Sequence, residues 1–283
     1  MESKINKYSK QLIILNSIFI LFWLTISVFP FIWTFWGSFK VKADFFSRAD
    51  WTYALSGFNT LIETGATTTI KAYIESWIEG EFLRATMNTM IVTVSVVSIS
   101  LFLGTLGAYA LSRSTYKYTF YILIAALIFR AMPHITLVSG YLFPFFQLNI
   151  WGVLPTTIIV LVAINQPFTL WLLYSFFKTV PKELDESALI DGCSYFQAFR
   201  YIIMPVMWPG VITAGLFSLM LAYNDFTVTA LLLNQENYTM VPKINAYLGT
   251  IEHGGNYMWA VASVVSATAP LFMIVMFFQR QLI

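Results

Sequence analysis

The chain has 283 residues, 58% hydrophobic and only 11% charged, with a formal charge of +2 and a mean hydropathy of +0.71. Soluble domains carry roughly 25% charged residues, so these charges are too few to cover a water-facing surface, and the composition indicates an integral membrane protein. The small net charge gives no reason to expect nucleic acid, and the single cysteine, Cys193, excludes an intrachain disulfide and a cysteine-built zinc site.

A helix needs about 20 apolar residues to cross the hydrocarbon core. Charge-free runs occupy 11–39, 85–112, 131–177, 201–224 and 253–279. The first span is predicted over 12–36. Its apolar run is longer than a signal-peptide h-region, and Phe29-Pro-Phe-Ile-Trp33 does not resemble a small-residue cleavage site, so an uncleaved start is expected. A long loop over 37–86 follows, then a second span over 87–111. The third run is long enough for two crossings and is interrupted by the turn formers between Gln147 and Pro155. Extending its first half back to Thr119 predicts spans over 119–142, with Arg130 inside, and 154–174. The last two spans are predicted over 209–228 and 257–279. The fold class is therefore an all-α membrane protein of six transmembrane helices.

Orientation follows from basic residues in short loops. Lys4, Lys7 and Lys10 precede the first span, Arg113 and Lys117 lie between the second and third, Lys178, Lys182 and Arg200 between the fourth and fifth, and Arg280 follows the sixth. The opposite side has Lys243 and the 37–86 loop, whose five basic residues are offset by six acidic ones. Both termini and the loop over 178–209 are thus expected on the cytoplasmic side. Trp33, Trp36, Trp151, Trp208 and Trp259 suit interfacial belts or buried packing. The chain shows no clear internal repeat.

The loop after the fourth span is charged and highly organised. Pro181 suits a first helical position, and Glu183, Asp185 and Glu186 favour the positive end of a helix. Gly192 is placed to take the left-handed conformation that ends one. Ser194 and Gln197 have the capping-box spacing of a second helix. That helix carries Phe196, Phe199, Ile202 and Ile203 until Met204-Pro205 stops it, and Pro209 opens the fifth span. Periodicity alone is equally consistent with a solvated interfacial hairpin.

Glu186-Ser-Ala-Leu-Ile-Asp-Gly192, followed by Phe199, Ile203, Pro205 and Pro209, resembles the signature loop of permease subunits from binding-protein-dependent ABC importers. Ser187, Cys193 and Met204 stand where the family usually has Ala, Ala and Leu. The resemblance extends to Met87-Asn-Thr-Met90, Gly107-Ala-Tyr-Ala-Leu-Ser-Arg113, Phe177 to Glu186, Tyr223-Asn-Asp-Phe226 and Phe278-Gln-Arg280. It covers nearly the whole chain and is similar to the second permease subunit of maltose-type importers. Two departures are the end at Ile283, where relatives usually continue into a Gly-rich tail, and the long 37–86 loop.

The resemblance implies a type I importer permease fold, in a prokaryotic inner membrane. It divides the chain into a cytoplasmic N-terminus with its first helix (1–36), an external loop (37–86) and a core permease domain (87–283). It implies that Glu183, Glu186, Ser187, Ala188, Asp191, Gly192, Phe199 and Pro205 form the contact with a cytoplasmic ATPase and its bend. The expected partners are a second, homologous permease subunit, two ATPases, an extracytoplasmic solute-binding protein and the bilayer. No cofactor is expected on this chain; ATP and Mg²⁺ would sit on the ATPases. The expected cargo is a sugar, oligosaccharide or polyol-like solute.

Polar groups inside a membrane are costly and are functional candidates by default. Arg130 and His134 are i and i+4 and share a helical face. Asn165 and Gln166 precede Pro167, and Tyr223, Asn224 and Asp225 lie late in the fifth span. These residues are candidates for a translocation path. The alternative is internal pairing, of Arg130 with Asp225 or of Asn165 with carbonyls freed by the proline. The sequence has no Gly-x-x-x-x-Gly-Lys-Ser/Thr phosphate loop. Neither His134 nor His253 has companions for a metal site, and no nucleophile–base set supports an intramembrane enzyme. An ion-coupled secondary carrier is the alternative function, with Asp225 as its one buried carboxylate; such carriers usually show internal repeats.

Overall fold

The computed structural model describes residues 2–39, 70–249 and 256–282. Most of the expected external loop, 40–69, and His253 lie outside the described residues. The elements are α1 (Glu2–Gly37), α2 (Lys71–Ile78), α3 (Phe82–Arg113), α4 (Tyr118–Ala131), α5 (His134–Gln147), α6 (Leu154–Thr179) and α7 (Glu183–Ile190). They continue with α8 (Tyr195–Ala198), a π-helical turn (Phe199–Ile203), α9 (Met204–Tyr223), α10 (Thr227–Leu232), α11 (Met240–Leu248) and α12 (Tyr257–Leu282). Among the described residues, five stretches are long and apolar enough to cross a bilayer: Leu12–Gly37, Phe82–Arg113, Leu154–Thr179, Tyr195–Tyr223 and Tyr257–Gln279. The pair α4 and α5 passes the same test together, bent by 86°.

That bend corrects the single helix expected over 119–142. Met132 is extended, with φ −69° and ψ 141°, because the ring of a following proline disfavours the helical region for the residue before it. The fifth span also differs. Met204-Pro205 does not stop the helix, and Pro209 lies inside it rather than at its start. Pro205 occupies the first turn of α9, directly after the π-helical turn. A proline ring clashes with the carbonyl four residues back, and the wider turn accommodates that clash. Helical structure therefore runs from Tyr195 to Tyr223.

The chain divides into two compact units: the described residues of 1–80 with 247–266, and those of 81–246 with 267–283. In the first unit, α1 is apolar all round from Leu12 onward and its residues 12–33 are exposed, as suits a lipid-facing span. The Trp77 indole donates to Ser266 Oγ at 3.2 Å, and the Trp259 indole donates to Glu75 Oε2 at 3.0 Å. That second bond holds the Glu75 carboxyl below its usual range.

In the second unit, α3 packs along α6, α9 packs against both, and α4 lies against α6. The buried face of α3 carries Thr93, Val96, Ser100, Gly104, Ala108 and Ser112. Steps of three or four residues put these on one side of a helix. Lipid tails are as apolar as leucine, so association rests on close packing, which small residues permit. A Cβ on Gly104 would come 3.0 Å from Thr169 Cγ2 of α6. The turn between α5 and α6 is pinned to the end of α10 and the segment after it. Trp151 donates to the Leu231 carbonyl at 3.1 Å, the Gly152 amide donates to the Leu232 carbonyl at 2.9 Å, and Asn237 donates back to the Gly152 carbonyl at 2.8 Å. Trp151 is thus a packing residue.

Candidate functional site

The loop between α6 and α9 is a capped helical hairpin. Lys182 caps α7, which leaves Pro181 outside the helix instead of at its first position. The acidic side chains Glu183, Asp185 and Glu186 lie in the first turn. At the other end the Cys193 amide donates to the Ala188 carbonyl at 3.0 Å and the Gly192 amide to the Leu189 carbonyl at 3.1 Å. These two bonds form a Schellman motif, with Gly192 at φ +87° as its left-handed residue. Ser194 then starts α8 with a complete capping box. Its Oγ accepts from the Gln197 amide at 3.3 Å, and its own amide donates to Gln197 Oε1 at 2.7 Å.

The two faces of α7 differ. Glu183, Glu186, Ser187, Asp191 and Gly192 are exposed, as is Pro205 on α9. Ala188 and Phe199 are buried within this chain, at 1% and 9% exposure, so their side chains pack inward. Ala188 therefore does not present the small outer contact that the resemblance implies. Apolar side chains at the hairpin tip take the outer place: Ile190, Tyr195 and Phe196 are strongly exposed. Ile190 was legible as the residue four after Glu186, on its face.

Asp185 is the residue whose position the sequence concealed. It lies on the inner face of α7, where the Arg113 guanidinium at the end of α3 meets its Oδ2 at 2.8 Å. The Tyr109 hydroxyl donates to its Oδ1 at 2.5 Å. Arg113 also donates to the carbonyls of Phe177 and Val180 at the end of α6, at 3.3 and 3.1 Å. Below this polar group the Tyr109 ring packs on Phe177 and Phe199, with centroids 5.7 and 4.9 Å away.

A second polar centre lies deeper in the same unit. A cavity of about 320 Å³ is lined by Arg130, His134, Asn165, Asn224 and Asp225, with apolar walls from α3, α6 and α9. Arg130 closes α4 and His134 opens α5, one on each side of the Met132-Pro133 bend, with Arg130 Nη1 2.8 Å from His134 Nε2. A guanidinium has no acceptor, so Nε2 accepts. Arg130 thus pairs with His134, and no ion pair joins it to Asp225 among the described residues. Asp225 Oδ1 accepts from the Val228 and Thr229 amides, each at 3.0 Å, and so caps α10.

Asn165 does not serve carbonyls freed by Pro167. Its Nδ2 donates to Ser218 Oγ on α9 at 2.6 Å, and its buried Oδ1 has no hydrogen-bond partner among the described residues. Asn224 is exposed and donates to the Met220 carbonyl at 3.0 Å. The other two candidates lie elsewhere. Gln166 faces a separate cavity with Pro167 and Tyr141. The Tyr223 hydroxyl donates to the Ala267 carbonyl at 2.7 Å. Side-chain hydrogen bonds between membrane helices contribute about 0.6 kcal/mol on average. Ser218→Ala and Asn165→Ala are each expected to destabilise the chain by about that amount, measured by unfolding in detergent. Wild-type stability in both would show that the bond contributes nothing.

This architecture, an all-α bundle of apolar spans with a capped polar hairpin between two of them, is that of a membrane transport component. Residues 100–283 match the family described as binding-protein-dependent transport system inner membrane component. The chain belongs to that family and is a transport subunit, not an enzyme. It is 27% identical to the diacetylchitobiose uptake system permease protein NgcG of Streptomyces coelicolor, over 93% of this chain and 83% of that protein. It is 30% identical to the trehalose/maltose transport system permease protein MalG of Thermococcus litoralis, over 91% and 89%. A bacterial ABC transporter involved in import of the acidic polysaccharide alginate contains a chain of the same fold, with a TM-score of 0.74 at 18% identity, covering 94% of this chain and 95% of that one.

Proposed function

We propose that this chain is one permease subunit of an ATP-driven importer for a sugar, oligosaccharide or polyol-like solute. It works with a second permease subunit, two cytoplasmic ATPases that carry ATP and Mg²⁺, and an external solute-binding protein. Both termini and the 178–209 loop face the cytoplasm. The observation that carries this reading is the α7 hairpin, a short helix closed by a Schellman motif, held on its inner face at Asp185, and with an exposed face of Glu183, Glu186, Ser187 and Ile190. A rigid helix transmits a displacement that a flexible loop would absorb. Sugar as the cargo is supported by the relatives named for diacetylchitobiose and for trehalose and maltose.

The polar cavity at the α4–α5 bend is this subunit's share of the translocation path. Arg130 offers donors and Asp225 an acceptor, a mixture suited to hydroxyl-rich solutes. Gln166 and Tyr223 do not line this cavity.

The test is co-purification of the complex in mild detergent. Wild-type protein is expected to bring down an ATPase bearing a phosphate loop. Glu186→Lys, an exposed charge reversal, is expected to lower its recovery about tenfold, the scale of losing a charge-assisted contact. Wild-type protein that retains its permease partner but recovers no ATPase would overturn the coupling assignment.

A further inference from the structure

We infer that Asp185 is a positioning residue, and that its ion pair with Arg113, completed by the Tyr109 hydroxyl, is the joint that passes displacement of α7 to α3. The inference rests on the coupling reading above and concerns what happens after the ATPase has moved the hairpin.

In sequence, α7 is connected to α6 and α8, not to α3. Movement of the hairpin reaches α3 only through side-chain contacts. Two kinds are present. The apolar contacts of Phe199 with Tyr109 have no fixed register, because van der Waals contact is non-directional. The polar contact is directional at the phenol, which donates to Asp185 Oδ1, and the guanidinium adds an ion pair at Oδ2 whose approach of 2.8 Å lacks hydrogen-bond alignment. Among the described residues it is the one ion pair that α7 makes.

The pair is also shielded and stiff. The Asp185 and Arg113 side chains are 12% and 16% exposed, so solvent screens them little, and removing one charge leaves the other unpaired where that is costly. Arg113 cannot swing freely, because it also donates to the Phe177 and Val180 carbonyls. Those groups form the negative end of α6, which favours a cation. One guanidinium thus ties together the ends of α3 and α6 and the inner face of α7.

The far side of the lever is on the same helix. Val96 of α3 lines the polar cavity. Positions 96 and 113 are separated by about 25 Å at 1.5 Å per residue. A shift imposed at Arg113 is therefore carried by continuous helix to the cavity wall.

The test uses the complete importer, reconstituted in lipid vesicles with its ATPases, binding protein and solute, and reads uptake and ATP hydrolysis together. Asp185→Asn keeps the shape and an acceptor for Tyr109 but removes the charge. Solute moved per ATP is expected to fall about tenfold, with wild-type recovery of the ATPase in detergent. The exchange of charges, Arg113→Asp with Asp185→Arg, is expected to recover part of that loss, and Asp185→Glu most of it. An unchanged ratio in Asp185→Asn would overturn the joint. So would loss of ATPase recovery in that variant, since Asp185 would then act in docking. If Asp185→Asn does not assemble, Tyr109→Phe gives the reading, and a wild-type ratio there overturns the proposal. Failure of wild-type protein to recover the ATPase is a separate result, and refutes the coupling reading itself.

Discussion

Gly192→Val is expected to leave the chain folded in the membrane and to lower solute uptake by at least about tenfold. The cause is backbone conformation alone. Gly192 sits at φ +87°, and a Cβ placed there would meet nothing within 4 Å. No clash with a neighbour arises, yet the left-handed region costs an L-residue roughly 1–2 kcal/mol, and for a β-branched side chain it is a true outlier. About 1.4 kcal/mol is a factor of ten in population. The strain is relieved if the Schellman bonds from Gly192 and Cys193 open, and that redirects the chain into Ser194 and its capping box. Helix α7 then no longer holds a fixed angle to α8. Gly192→Asn is the informative control, because asparagine tolerates the left-handed region and should retain most uptake. Uptake and membrane level measured together decide the matter. Equal uptake by the Val variant and the wild type would remove the bend from the mechanism.

Arg130→Leu is expected to lower uptake by about ten- to a hundredfold, with normal recovery of ATPase subunits. Hydrogen bonds to charged groups contribute about 1.5–3 kcal/mol, and in the cavity Arg130 is the cationic donor, with Asp225 among the lining residues. Its loss also frees His134 Nε2 from the contact across the Met132-Pro133 bend. Arg130→Lys keeps a charge and should lie between the two. Initial uptake rates over a range of solute concentrations separate weaker solute contact from a slower cycle. Wild-type kinetics in Arg130→Leu would exclude the cavity from the path. Comparison of Asn165→Ala with Ser218→Ala gives an independent check. Both lose the same bond between helices, but Asn165 lines the cavity and Ser218 does not.

The comparison of Glu186 with Asp185 shows where reading the chain succeeds and where it stops. Charge starvation and long apolar runs determined the membrane class, because a span must satisfy its backbone within itself and hide few charges. Local chemistry determined the hairpin. Gly192 and the Ser194–Gln197 pair act over four or five residues, so their roles were legible at once. Proline was legible as a break but not in kind. Pro133 splits a span, whereas Pro205 and Pro209 are absorbed into one, Pro205 directly after a π-helical turn.

What tertiary structure decided is which polar side chains meet. Nothing in the spacing of Tyr109, Arg113 and Asp185 brings residues 72 to 76 positions apart together; packing of α3 against α6 does so, with α7 folded back across their ends. The same packing separates Asn165 from its neighbour Gln166, because successive residues on a helix point about 100° apart, and only Asn165 faces the cavity. Tyr223 and Asn224 part in the same way. Sequence alone determined the membrane class and the capped hairpin, since these follow from composition and contacts within a turn or two, and the resemblance of its motifs pointed to the family. The joint at Asp185 and the polar cavity exist only when distant helices pack, because their partners are set by geometry across the bundle.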